Sequence, residues 1–229
     1  MSWLSSFWRS SIGGKVTMAV TGLLLFGFVV AHLLGNLQLL QGPDKINAYA
    51  KMLHDLGPLL WVARIGLLVI FVLHIVTAIK LSRANKSARP VAYQRPDTVQ
   101  ASLASRSMLL SGLSVLVFVI YHLMHFTFGV TNPDHYELKQ KGAGGHDVYA
   151  MVTHSFEQPV IAIAYVAFQI VLFLHLSHGM HSLAQTLGLN HKRYTPMIKT
   201  VSIVLALAIA GGNAFLALSV LTGIVEVSP

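Results

Sequence analysis

Five stretches of this chain stay apolar for longer than the roughly 18 residues that suggest a membrane crossing. They cover residues 16–40, 59–81, 108–130, 159–187 and 201–225. Hydrocarbon offers backbone N–H and C=O groups no partners, so each stretch must satisfy its own hydrogen bonds as a helix. The expected fold is therefore all-α: one integral membrane domain over residues 1–229, built as a five-helix transmembrane bundle. Composition agrees. Charged residues make up 10% of the chain and apolar ones 54%, whereas a soluble domain carries about 25% charged residues. Five such helices and their loops use up the 229 residues, which leaves no room among them for a catalytic domain outside the bilayer. The first stretch is too long for a signal peptide, and no small-residue cleavage pattern follows it. Before it, Trp3, Leu4, Phe7 and Trp8 fall on one helical face ahead of Arg9, as in a short interfacial helix.

Lys and Arg placement sets the orientation. With the N-terminus cytoplasmic and the C-terminus outside, the inner face receives Arg9, Lys15, Lys80, Arg83, Lys86, Arg89, Arg95, Arg106, Lys192, Arg193 and Lys199. These are 11 of the 16 basic residues. Seven of the eight acidic residues then lie outside: Asp44, Asp55, Asp134, Glu137, Asp147, Glu157 and Glu226. This segregation accounts for the net charge of +8 through the bilayer, without nucleic acid. The inner loop over 82–107 is basic, and Arg89-Pro90 and Arg95-Pro96 discourage continuous helix there. It is polar enough to receive a soluble partner. The outer loops are expected over 41–58 and 131–158, the second flexible around Gly142, Gly144 and Gly145. No internal repeat is convincing.

The chain has no cysteine, which excludes thiolate-held iron–sulfur clusters, disulfides and C-x-x-C-H haem attachment. It has 12 histidines, and histidine is the commonest metal ligand. Spans I to IV carry His32, His74, His122 with His125, and His175 with His178 and His181; span V carries none. Ionisable groups inside a membrane are costly and usually functional. The ~1.5 Å rise per helical residue puts His32 and His122 roughly 12 Å below the outer ends of their spans. His74 and His175 fall roughly 22 and 24 Å below. Two imidazole pairs result, His32/His122 and His74/His175, about 10 Å apart in depth. Each suits bis-histidine ligation of one haem b, and two such haems can pass electrons across the membrane. Gly22, Gly27, Gly35, Gly66, Gly112 and Gly179 are candidates for a porphyrin's close approach to backbone.

Four motifs carry a resemblance: V-A-H-L-L-G-N over 30–36, F-V-L-H-I-V over 71–76, V-I-Y-H-L-M-H over 119–125 and L-H-L-S-H-G-M over 174–180. In this order and spacing the chain resembles the di-haem cytochrome b membrane anchor of succinate dehydrogenases and fumarate reductases, the single-chain, five-helix type. The resemblance spans nearly the whole chain. It implies a cytoplasm-proximal haem on His74/His175 and a distal haem on His32/His122, the helix IV His-x-x-x-Gly element selecting His175. It also implies an FAD flavoprotein and an iron–sulfur subunit docked on the cytoplasmic face of the inner cell membrane. Electrons would pass from the iron–sulfur subunit to a quinone, taken as menaquinone. His125, His178 or His181 remain alternatives to the ligand one or two turns away. Ser10, Ser11, Lys15, Arg106 and Lys192 are candidates to hold haem propionates at the inner boundary. Asn36, His54, Asp55 and Arg64 are candidates for a quinone site at the outer one. Two other readings stand beside this one: the cytochrome b subunit of a hydrogenase or formate dehydrogenase, and a haem-free transporter or scaffold whose histidines line a polar path.

Overall fold

The computed structural model describes residues 6–7, 10–88, 91, 102–138 and 146–228. Five helices long and apolar enough to cross a bilayer are present: α1 (Ser11–Asn36), α3 (Pro58–Ser87), α5 (Met108–Phe126), α8 (Pro159–Thr186) and α9 (Thr195–Leu221). Shorter helices connect them: α2 (Pro43–Asp55), α4 (Leu103–Arg106), α6 (Pro133–Tyr136) and α7 (Val148–Glu157). Among the described residues no strand forms. Trp3, Leu4, Trp8 and Arg9 lie outside the described residues, as do Arg89, Pro90, Arg95 and Pro96, and Gly142, Gly144 and Gly145.

The helix ends depart from the apolar limits because backbone hydrogen bonding, not hydropathy, ends a helix. α1 begins at Ser11 rather than 16, since the Ser10 hydroxyl accepts from the Gly13 N–H at 3.0 Å and caps it. It passes into a 3₁₀ turn over Leu37–Gln41. α3 starts on Pro58, where the missing N–H costs nothing, and runs on through polar residues to Ser87. α5 stops at Phe126, four residues early, before Gly129 at φ +67°. There a Cβ would collide with the Tyr136 ring. α9 starts six residues early, at Thr195, and ends before Gly223 at φ +75°.

One end of the bundle is capped by α2, α6 and α7; the other carries most of the described basic residues. The two segments expected as outer loops are thus partly helical. The Asn47 amide clamps α2 to α7, donating to Asp147 Oδ1 at 3.0 Å and accepting from the Tyr149 N–H at 3.1 Å. Tyr149 reaches on to the Glu226 carbonyl at 2.8 Å. Leu39, Ile46, Phe156, Tyr165, Leu216 and Val220 bury themselves under this cap. α3 is the opposite case. Thr77 is its one buried residue, and Trp61, Val62, Ile65 and Leu68 stand more than half exposed, as a lipid-facing helix should.

An internal repeat emerges that the sequence alone does not make convincing. α1, α2 and α3 form a long helix, a capping helix and a second long helix, and α5, α7 and α8 repeat that order in the same direction. In the first half Thr21-Gly22 precedes His32 by eleven residues; in the second, Ser111-Gly112 precedes His122 by eleven. Eleven residues make about three turns, so hydroxyl and imidazole share a helix face. His74 lies sixteen residues after Pro58 and His175 sixteen after Pro159. Parallel repeats of this kind are related by an axis along the membrane normal.

Candidate functional site: two tiers of histidine

The repeat places one histidine of each kind in each half. His32 sits one turn before the end of α1, and His122 one turn before the end of α5. Their rings meet, with centroids 5.7 Å apart and planes at 90°. Phe28 stacks on His32 at 5.5 Å, and Phe118 and Phe126 flank His122 at 5.9 and 5.6 Å. This upper tier lies beside the capped end.

The lower tier is built by hydroxyls. Thr21 Oγ1 on α1 lies 3.0 Å from His74 Nδ1, and Ser111 Oγ on α5 lies 3.2 Å from His175 Nδ1. Each hydroxyl already donates to its own helix, Thr21 to the Thr17 carbonyl at 2.7 Å and Ser111 to the Met108 carbonyl at 3.1 Å. The oxygens are therefore acceptors, and the two Nδ1–H groups donate. That fixes the tautomer with the Nε2 lone pair free, which is how a partner behind a histidine prepares it for metal. Glycine follows each hydroxyl for a reason: a Cβ on Gly22 would stand 3.3 Å from His74 Cε1, and one on Gly112 at 3.3 Å from His175 Cε1. Of the other glycines proposed for close approach, Gly35 receives the Tyr49 ring, and Gly27, Gly66 and Gly179 have open space.

His125 is the most buried histidine, at 1% exposure, and both its nitrogens are occupied. Nδ1 lies 3.0 Å from the Tyr165 hydroxyl and Nε2 3.1 Å from Ser155 Oγ. The Ser155 hydroxyl donates to the Met151 carbonyl at 2.7 Å, so it accepts from His125 Nε2–H. Tyr165 then donates to Nδ1, and its oxygen faces His122 Nδ1 at 3.5 Å. The polarity of the chain leaves His122 Nε2 free, like that of the lower pair. His125 is thereby committed to hydrogen bonds at both nitrogens, which leaves His122 as the candidate ligand of the two. Tyr165, Thr21, Ser111 and Ser155 are site residues that the sequence reading missed. The recurring hydroxyl-Gly pair eleven residues before a histidine was the available signal.

The remaining candidates fall at the two ends. At the basic end Ser10 is used as the α1 cap, and Ser11, Lys15, Arg106 and Lys192 are exposed. His181, two turns below His175, has a buried Nε2 without a hydrogen-bond partner among the described residues. At the capped end Asn36 is half-buried one turn beyond His32. Asp55 is exposed and paired with Lys51 at 2.6 Å, and the exposed His54 turns Nδ1 to the Ala50 carbonyl at 3.2 Å. Arg64 stands over the Trp61 ring at 5.3 Å. Burial holds the His146 imidazole below its ordinary range; neighbouring Asp147 opposes this and His54 adds to it.

These donors suit a haem better than a bare ion. Among the described residues no three His, Cys, Asp or Glu side chains gather as a metal site. A porphyrin supplies four ligands to its iron and asks the protein for two, and each tier offers two imidazoles on different helices. With imidazole nitrogens about 2 Å from a metal, two axial rings have centroids about 6.4 Å apart, within an ångström of the upper pair. The hydroxyl backing gives a specific expectation. Thr21→Val and Ser111→Ala, which remove only the acceptor behind His74 and His175, should weaken haem retention in the lower tier by roughly 10–100-fold and leave the upper tier unchanged. Haem loss to an excess of scavenger, followed by absorbance, measures this.

No protein-family model matches the chain, and no curated protein or solved structure matches it.

Proposed function

We propose that this chain is the membrane-anchor cytochrome b subunit of a succinate:quinone oxidoreductase. In this reading His74/His175 hold one haem b nearer the basic end and His32/His122 hold a second nearer the capped end. The observation that carries the proposal is the two-tier arrangement: Thr21, Ser111 and Tyr165 lie within 3.0, 3.2 and 3.5 Å of Nδ1 of His74, His175 and His122, a backing that favours the tautomers with Nε2 free. Bound haem supplies one-electron redox chemistry at each tier. The protein's own part is to present neutral imidazoles at two depths, to exclude water with Phe28, Phe118 and Phe126, and to hold the tiers about 10 Å apart. Polar groups at the basic end, among them Lys15, Arg106 and Lys192, would neutralise propionates. The basic inner surface would receive the iron–sulfur subunit, with the FAD flavoprotein beyond it. A quinone, proposed as menaquinone, would be reduced beside the upper tier. The membrane concerned is the inner cell membrane, with the N-terminus on the cytoplasmic side.

The chain has no cysteine and no soluble flavin domain among its helices, so succinate oxidation must come from partners. Purification from its native membrane should therefore yield two haems per chain in a pyridine haemochrome spectrum, together with a flavoprotein. The isolated chain should not oxidise succinate. Two haems with a hydrogenase or formate dehydrogenase partner would move the reading to those enzymes. A haem-free chain, or succinate turnover by this chain alone, would overturn it.

A further inference from the structure

The corner where α8 turns into α9, at the basic end, holds an unmet hydrogen bond. A shallow notch opens there between the last turns of α8 and the start of α9, and His181, Gln185, Asn190, Thr195 and Ile198 help to line it. His181 Nε2 is shut off from solvent and has no hydrogen-bond partner among the described residues. A buried polar atom left unpaired costs free energy, so this one calls for a partner from outside the chain. The notch does not belong to the histidine tiers. Six residues separate His181 from His175, and at about 100° each they turn its side chain roughly 120° around α8. His175 faces Ser111 on α5, whereas the notch opens toward α9, a helix without histidine.

The chemistry around the notch selects an anion. Thr195 Oγ1 accepts from the His191 N–H at 3.1 Å and donates to Asn190 Oδ1 at 2.6 Å. Both side-chain oxygens are thus engaged, and Asn190 has its Nδ2–H donors left to offer. His191 is held in turn by the Arg193 N–H at 3.2 Å and the Tyr194 ring at 5.3 Å, so the turn is ordered before anything binds. Arg193 is exposed on it, and Lys199 is exposed one turn into α9 from Thr195. No Asp or Glu lies between Glu157 and Glu226, so neither helix nor the turn brings a carboxylate to compete. Lys199, Ile203 and Leu207 follow one another at four-residue spacing on one exposed face of α9. A cation thus stands above an apolar row, where headgroup meets acyl chain.

We propose that this corner binds the phosphate of an anionic phospholipid from the leaflet at the basic end. The notch is too shallow to enclose a whole molecule. One phosphate oxygen enters it and accepts from His181 Nε2–H and Asn190 Nδ2–H. Lys199 and Arg193 neutralise the charge from the mouth, and the acyl chains lie along Ile203 and Leu207. Basic pockets between membrane helices take headgroups of this kind. The site is independent of the proposed function, since it uses none of the four histidines assigned to haem.

The test follows binding to the full chain in detergent micelles by native mass spectrometry, with phosphatidylglycerol, phosphatidylcholine and inorganic phosphate as probes. The wild type should take a first phosphatidylglycerol at least ~10-fold more tightly than phosphatidylcholine, since each nearby cation contributes roughly fivefold. His181→Phe should weaken that step at least ~10-fold, through loss of a hydrogen bond to a charged group, and Lys199→Gln roughly fivefold. Lys45→Gln, at the capped end, should leave it unchanged. Lys199 is exposed, so its variant decides the matter if His181→Phe fails to insert. Equal affinity for the two lipids, or phosphatidylglycerol binding unaltered in both variants, would overturn the site. Inorganic phosphate that displaces the lipid at equal concentration would overturn the lipid in favour of a free anion. Haem content should be the same in both variants as in the wild type. Loss of haem from His181→Phe with lipid binding intact would return that ring to the tiers and overturn the site, leaving the proposed function standing.

Discussion

His74→Leu and His175→Leu variants are each expected to carry one haem instead of two, the survivor being that of the upper tier. His32→Leu and His122→Leu should each keep only the lower haem. An imidazole ligand would contribute a bond to iron that leucine cannot replace, so the expected effect is complete loss at one site. The split by tier is the decisive part. A single misplaced histidine would weaken both sites or neither, whereas pairing by depth links His74 to His175 on helices that start sixteen residues before them. Replacement of His54, His135, His146, His154 or His191 should leave two haems, and so should replacement of His125, whose nitrogens face Tyr165 and Ser155. Low-temperature difference spectra and haem content per chain measure the outcome. Two haems in a His175→Leu variant would shift the ligand to His178 or His181 and break the pairing.

The histidine tiers were legible in sequence because depth in a membrane helix is a matter of counting residues. His32 and His122 each sit four residues before the end of their α-helix; the first span, continued by its 3₁₀ turn, reaches Gln41 against an expected 40, and only the third ends four residues short of the expected 130. The ends themselves were not legible. Hydropathy reports where lipid begins, while α3 keeps its hydrogen bonds for several polar residues beyond that point. The capping helices α2 and α7 were read as loops: Asp44, Lys45, Lys51, His54 and Asp55 make the exposed face of α2 polar, and α7 spans only ten residues. Their buried contacts, Asn47 to Asp147 and Tyr149, span about a hundred residues. The choice between His122 and His125 was likewise closed to sequence. Three residues apart on one helix, they are distinguished only by Tyr165 and Ser155, which come from elsewhere in the chain. Thr21 and Ser111 look like ordinary small residues of a membrane helix until the imidazoles of the next helix are placed against them.

Succinate oxidation by the whole complex in sealed vesicles is expected to depend on membrane potential, accelerating when the outside is positive and slowing when an uncoupler collapses the gradient. Under the proposed function electrons enter at the basic, cytoplasmic end and move outward through the lower tier to the upper one. With quinone reduced beside the upper tier, the matching protons come inward from the capped end. Wherever the two meet, the sum is one elementary charge carried through the full field for each electron. Moving one charge through 100 mV is worth about 2.3 kcal/mol, or about 50-fold in the equilibrium constant of each one-electron transfer. A potential positive outside therefore draws electrons toward the quinone and helps succinate reduce a low-potential acceptor. The second tier gains its purpose here. Quinone reduced at the lower tier needs no second haem some 10 Å further out, and outward transfer over that distance puts the reaction under the control of the field. The rate in oriented vesicles, with and without uncoupler, is the measurement. Proton uptake from the capped-end side should accompany it. A rate indifferent to potential, with quinone bound at the basic end, would sink electrogenic reduction while leaving the four proposed haem ligands in place.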